Sequence, residues 1–169
     1  MNSDFRRNPG LRQALHDWWN GLNDQRGDRA QLRRAHNITA VVLTPAYQRV
    51  YRRLRAAGWR HAADAPVNDR LAAIVGLLAH VETYGDASLP QAMSARKPGD
   101  DRPAVSPLRF QRLLESPDLD ALYSGLRRVL PLLQRPASIV ALADDLLCWG
   151  DDVKKTWAYD YEWPVQKAD

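Results

Sequence analysis

Apolar residues recur at helical spacing along almost the whole of this chain, and that pattern decides most of what it can fold into. Leu11, Ala14, Leu15, Trp18, Trp19 and Leu22 stand at i, i+3, i+4, i+7, i+8 and i+11, the period of a helix that buries one face. Alternation of apolar and polar residues, the mark of a half-buried strand, is absent. The expectation is an all-α protein of about eight to nine helices, arranged as two small helical bundles or lobes.

Local signals place the helix starts. Thr44-Pro45, Ser106-Pro107 and Ser116-Pro117 each offer a hydroxyl for the N-cap and a proline for the first helical position. There the missing N–H costs nothing and the fixed φ is already helical. Asp28 is expected to cap a short helix carrying Leu32 and Ala35 inward, and Tyr47, Val50, Tyr51 and Leu54 to face the core from the next. A helix from about Asn68 buries Leu71, Ile74, Val75, Leu78 and Val81 and ends by Gly85. Residues 88–95 form at most a short helix. Residues 95–107, with two interior prolines, a glycine and five charges, read as an exposed loop. This divides the chain into an N-terminal helical lobe (1–95), a linker (96–105) and a C-terminal bundle (106–169). In the bundle Leu108, Phe110, Leu113 and Leu114 line one helix and Leu119 to Leu133 the next, which Pro131 kinks. Pro136 opens another, and Asp151 caps the last after Gly150.

Several classes drop out. The single cysteine, Cys148, allows neither an internal disulfide nor a Cys-rich zinc site, and fits a reducing, cytoplasmic setting. The N-terminus has no apolar core of a secretory signal. The stretch Leu71 to Val81 is too short to span a bilayer, so no membrane partner is expected. No phosphate-cradling glycine motif is present. His16, His36, His61 and His80 lie too far apart in sequence for metal-ligand spacing and read as surface or structural residues. Asp144-Asp145 and Asp151-Asp152 are the best candidates for metal-dependent catalysis. Adjacent helical residues point about 100° apart, however, and carboxylates at a helix start favour the dipole. Cys148 reads as a core thiol. Most of the Trp and Tyr residues fall on apolar stripes and read as packing; Trp59, following Gly58, is placed either between lobes or against a base. No metal and no cofactor are expected.

Charge carries more information. A formal net charge of +4 hides a strong segregation. Residues 26–70 hold ten arginines against three aspartates, and residues 96–135 eight basic groups against five acidic. Residues 136–169 are net acidic. Of the 24 basic residues, 20 are arginine, whose planar fork suits phosphate. Doublets occur at Arg6-Arg7, Arg33-Arg34, Arg52-Arg53, Arg96-Lys97, Arg127-Arg128 and Lys154-Lys155, and Arg109 and Arg112 share a helix face. Around Arg49–Arg55 no acid sits one helical turn away. Arginines lacking local counter-ions suit neutralisation of a sugar-phosphate backbone without base reading. A surface of solvated ion pairs is the plainer alternative.

Six segments, LRQALHDWWNGL, AQLRRAH, AYQRVYRRLRAAGW, SPLRFQRLL, LYSGLRRVLPLL and CWGDDVKKTWAYDY, in this order across residues 11–163, resemble the CasB family. That family is the small subunit of the type I-E CRISPR surveillance complex, Cascade. The resemblance implies an all-helical, non-catalytic subunit with an N-terminal lobe and a C-terminal bundle. A second copy of itself, other Cascade subunits, guide RNA and single-stranded target DNA are the implied partners. Its implied work is to stabilise the R-loop in antiviral defence. The implied binding positions are Arg33, Arg34, Arg109, Arg112, Arg127 and Arg128, with Lys154 and Lys155. Charge density alone adds Arg52 and Arg53. Asp144, Asp145, Asp151 and Asp152 make the last two helices more acidic than is usual in the family. A free-standing helical adaptor or regulator that binds nucleic acid or protein is the second reading, and a metal-dependent nuclease the third.

Overall fold

A computed structural model of the chain describes residues 4–166. Among them the chain order is α1 (Asp4–Arg7), α2 (Pro9–Gly21), α3 (Arg26–Arg34), α4 (Ile38–Val42), α5 (Pro45–Ala56), α6 (Ala65–Leu78), α7 (Leu89–Ser94), α8 (Pro107–Leu114), α9 (Leu119–Val129), a 3-10 turn (Leu130–Leu132), α10 (Ile139–Leu147) and α11 (Asp151–Asp160). The described residues contain no strand, only the isolated bridges Ala87–Ala137 and Arg96–Pro103. The all-α expectation holds. The count rises to eleven because two helices of four and five residues, α1 and α4, are too short to show a period. No helix among the described residues is long and apolar enough to cross a membrane.

The second half of α6 is uncharged from Leu71 to Leu78, and all eight residues are buried. A helix apolar on every side must be covered on every side, and α3, α4, α5, α9 and α10 all pack on it. The covering helices come from both sides of the 96–105 segment, and their buried side chains form one continuous cluster. Gly76 sets how closely α9 approaches. A Cβ there would lie 2.7 Å from the Tyr123 hydroxyl and 2.9 Å from a Val41 methyl. Tyr123, fully buried, reaches past it and donates to the Ala35 carbonyl at 2.8 Å.

Caps explain most helix starts. Thr44, Ser88, Ser106 and Ser138 accept from the backbone N–H three residues on, as do Asn8, Asn37, Asp64 and Asp118. Five expected starts are corrected, the last helix among them: Asp151, expected as its cap, is the first residue of α11 and follows the N-cap Gly150. Asp118, not Ser116, caps α9. Ser138, not Pro136, begins α10. Asp64 starts α6 earlier than Asn68, and that helix ends at Leu78, well before Gly85. Asp28 lies inside the first turn of α3 and pairs with Arg49 of α5 instead of capping. Pro131 falls where α9 tightens into the 3-10 turn, the outcome expected of a proline that removes a helical hydrogen bond.

The 95–107 loop is exposed at Arg96–Gly99 and again at Asp101 and Arg102, and then turns inward. Ala104 N–H donates to the Ala95 carbonyl at 3.0 Å and Val105 N–H to the Met93 carbonyl at 2.9 Å, and Val105 is fully buried. Tyr161 closes the chain over it by donating to the Val105 carbonyl at 2.6 Å and stacking on Phe110. Leu108, expected inside, is 56% exposed. Trp59 is buried, stacks on Phe5 and donates to Asn68 at 3.0 Å, so it is a core residue and touches no base.

Candidate nucleic-acid interface

Two helices build a basic groove. On α8, Phe110 and Leu113 turn to the core and leave Arg109 and Arg112 exposed on one face. On α9, Leu122, Tyr123, Leu126 and Val129 turn inward and Arg128 outward. Gly125 lets the two helices approach: a Cβ there would sit 2.6 Å from a Leu113 methyl. The groove between them is lined by Arg109, Arg112 and Arg128, together with Glu115 and Ser124. Ser124 and Arg128 also line a second hollow, with Arg127, His36 and His80. His80 in turn lines a third, with Arg33, Glu82 and Arg135. Shared residues thus join three hollows into one track carrying six guanidiniums.

The six differ in how they are held. Arg127 donates to the Arg33 carbonyl at 2.7 Å, sits 3.2 Å from His36 Nδ1 and lies over the Tyr123 ring. Arg33 donates through Nε to the Ala79 carbonyl at 2.8 Å, at the C-terminus of α6, and through Nη2 to Glu82 at 2.8 Å. A cation at the last carbonyls of a helix also complements its dipole. These two arginines therefore brace the fold as well as line the track. Arg109, Arg112, Arg128 and Arg135 are exposed. Burial, followed by Arg127 and Arg33, pushes the His80 pKa down to about 4, so this histidine is neutral near pH 7 and adds no charge. Arg33 holds the Glu82 carboxyl below the usual range.

Of the sequence-derived positions, Arg33, Arg109, Arg112, Arg127 and Arg128 come together on this track. Arg34 is exposed at the end of α3, Arg52 and Arg53 are exposed on α5, and Lys154 and Lys155 lie on α11; none of these lines the three hollows. The apparent lack of acids around Arg49–Arg55 is corrected at one position, because Asp28, 21 residues away, pairs with Arg49. Arg135 and His80 were missed as track residues. Arg135 stands alone between prolines and glutamine, and His80 belongs to an apolar run, so neither showed a local pattern.

The acidic pairs are engaged elsewhere. Asp144 is buried and pairs with Arg6 at 2.9 Å. Asp145 accepts from Trp157 Nε1 at 2.9 Å, and burial raises its pKa. Asp151 and Asp152 are exposed in the first turn of α11. Among the described residues no three His, Cys, Asp or Glu side chains are grouped to hold a metal ion. Burial also raises the pKa of the Cys148 thiol, which opposes thiolate formation.

An all-helical body with arginines lining three hollows that share residues defines the class: a helical protein with a basic concave surface. Within that class, the sequence matches the CRISPR-associated protein Cse2 family model over residues 28–161, and the chain belongs to that family, also called CasB. A chain in the crystal structure of E. coli Cascade bound to a PAM-containing dsDNA target has the same fold. The TM-score is 0.67 at 23% sequence identity, covering 88% of this chain and 92% of that one. No curated protein matches the sequence.

Proposed function

We propose that this chain is the non-catalytic small subunit of a type I-E Cascade. In this role it works in the cytoplasm beside other Cascade subunits and a second copy of itself. It holds guide RNA–target duplex and displaced single-stranded DNA through their backbones, and so stabilises the R-loop. The observation that carries the reading is the joining of three basic hollows through Ser124, Arg128 and His80. Such a track neutralises successive phosphates and reads no base, as a strand of arbitrary sequence demands. R-loop formation exchanges one duplex for another at nearly balanced free energy, so a few backbone contacts are enough to tip it. Arg34, Arg52, Arg53, Lys154 and Lys155 are proposed as secondary, peripheral contacts. The test is retention of target DNA by the assembled complex carrying R109A/R112A/R128A. Retention falls while assembly persists; retention equal to wild type at physiological salt refutes the assignment.

A further inference from the structure

Arg33 and Glu82 make the one ion pair, among the described residues, that involves a cation of the track. Glu82 follows α6 on a segment without regular structure, and its side chain is 64% exposed. Its Oε1 lies 2.8 Å from Arg33 Nη2, the separation a phosphate oxygen takes on a guanidinium. Arg29 adds a second positive influence on the same carboxyl. Arg33 itself does not depend on Glu82 for its position, because its Nε is anchored on the Ala79 carbonyl.

Resting on the nucleic-acid reading above, we infer that Glu82 is an internal stand-in for phosphate that occupies Arg33 until a strand displaces it. The exchange needs only side-chain rotation of Glu82. Arg33 stays in place and passes one donor nitrogen from carboxylate to phosphodiester. An exposed pair of this kind is weak, yet a single free anion gains little by displacing it. A strand already held at Arg109, Arg112 and Arg128 presents its next phosphate at high effective concentration and does displace it. Glu82 thereby favours a continuous single strand over isolated anions, and sets the affinity at this end of the track.

The test uses the full chain, a fluorescein-labelled oligothymidylate and anisotropy titrations over a range of salt. E82Q keeps the side-chain shape and removes the charge. It binds roughly two- to five-fold more tightly than wild type, and its log–log salt slope stays near the wild-type value, because the bound strand meets Arg33 in both proteins. D101N, which changes net charge equally in the exposed 95–107 loop, leaves both quantities near wild type. R33A and R33A/E82Q bind alike. If E82Q binds no more tightly than wild type or D101N while R109A/R112A/R128A weakens binding, the role of Glu82 is refuted and the track stands. If wild type shows no salt-dependent binding, or the triple variant binds as wild type does, the track reading falls and this inference with it. Matching urea midpoints for E82Q and wild type establish that the comparison is between folded proteins.

Discussion

Arg127 donates to the main-chain carbonyl of Arg33 at 2.7 Å, across 94 positions of sequence. The bond ties the C-terminal end of α9 to the C-terminal end of α3. Because Arg33 reaches on to the end of α6, three helices meet at two guanidiniums.

Replacing Arg127 by alanine removes a charged donor from a half-buried carbonyl and exposes the Tyr123 ring. Stability falls by about 1.5–3 kcal/mol, the range for hydrogen bonds to charged groups, read as a shift of the urea midpoint at constant slope. R128A, at an exposed neighbour with no such bond among those described, leaves the midpoint unchanged.

Binding separates the two in the opposite sense. Loss of three outward arginines in R109A/R112A/R128A flattens the log–log salt dependence of single-strand binding by about 2, from roughly 0.7 per phosphate. Titrating a labelled oligonucleotide at several salt concentrations measures it. An unchanged slope means these side chains meet no phosphate.

Gly76 is a packing requirement. G76A drives a methyl to within 2.7 Å of the Tyr123 hydroxyl, and overpacking of this kind costs about 1–3 kcal/mol. Removing the hydroxyl in G76A/Y123F relieves the tightest contact and leaves the Val41 methyl at 2.9 Å, so the double variant loses less than the sum of the single losses. A thermodynamic cycle from denaturant melts reads the coupling.

His80 gives the fold an acid sensitivity. Its pKa falls from 6.5 unfolded to about 4 folded. Between those values the unfolded chain takes up a proton that the folded chain refuses, so stability drops as pH falls through this window. Half-buried Asp145, its pKa raised by desolvation, acts in the opposite direction at the lower end. The difference between wild type and H80Q isolates the histidine: melts from pH 7 to pH 4 show a steeper loss for wild type. Parallel curves would show that His80 has no part in it.

Helix identity was legible wherever the signal was local. Thr44 and Ser106 cap the helices their prolines open, and the stripe from Leu11 to Trp19 is buried as its spacing requires. Ser116-Pro117 misled because Asp118, two positions on, competes for the cap and bonds Ala121 N–H at 2.8 Å. Ser138 displaced Pro136 in the same way. The arginine doublets were visible as doublets, but their division of labour was not. Which member turns inward depends on Ala79, His36 and the Arg33 carbonyl, all distant in sequence. Arg135 joins the track only because the segment after the 3-10 turn passes beside His80, a consequence of packing that no periodicity records.

The split within the doublets also sets how this surface tolerates drift among related sequences. Lysine at Arg34 or Arg128 keeps the positive charge a solvent-facing position needs. At Arg33 and Arg127 each guanidinium spreads its nitrogens over two separate partners, a geometry that a single ammonium point charge does not reproduce. Lysine therefore serves at the outer member of each pair and fails at the inner one, so the two positions of one dipeptide carry unequal constraints.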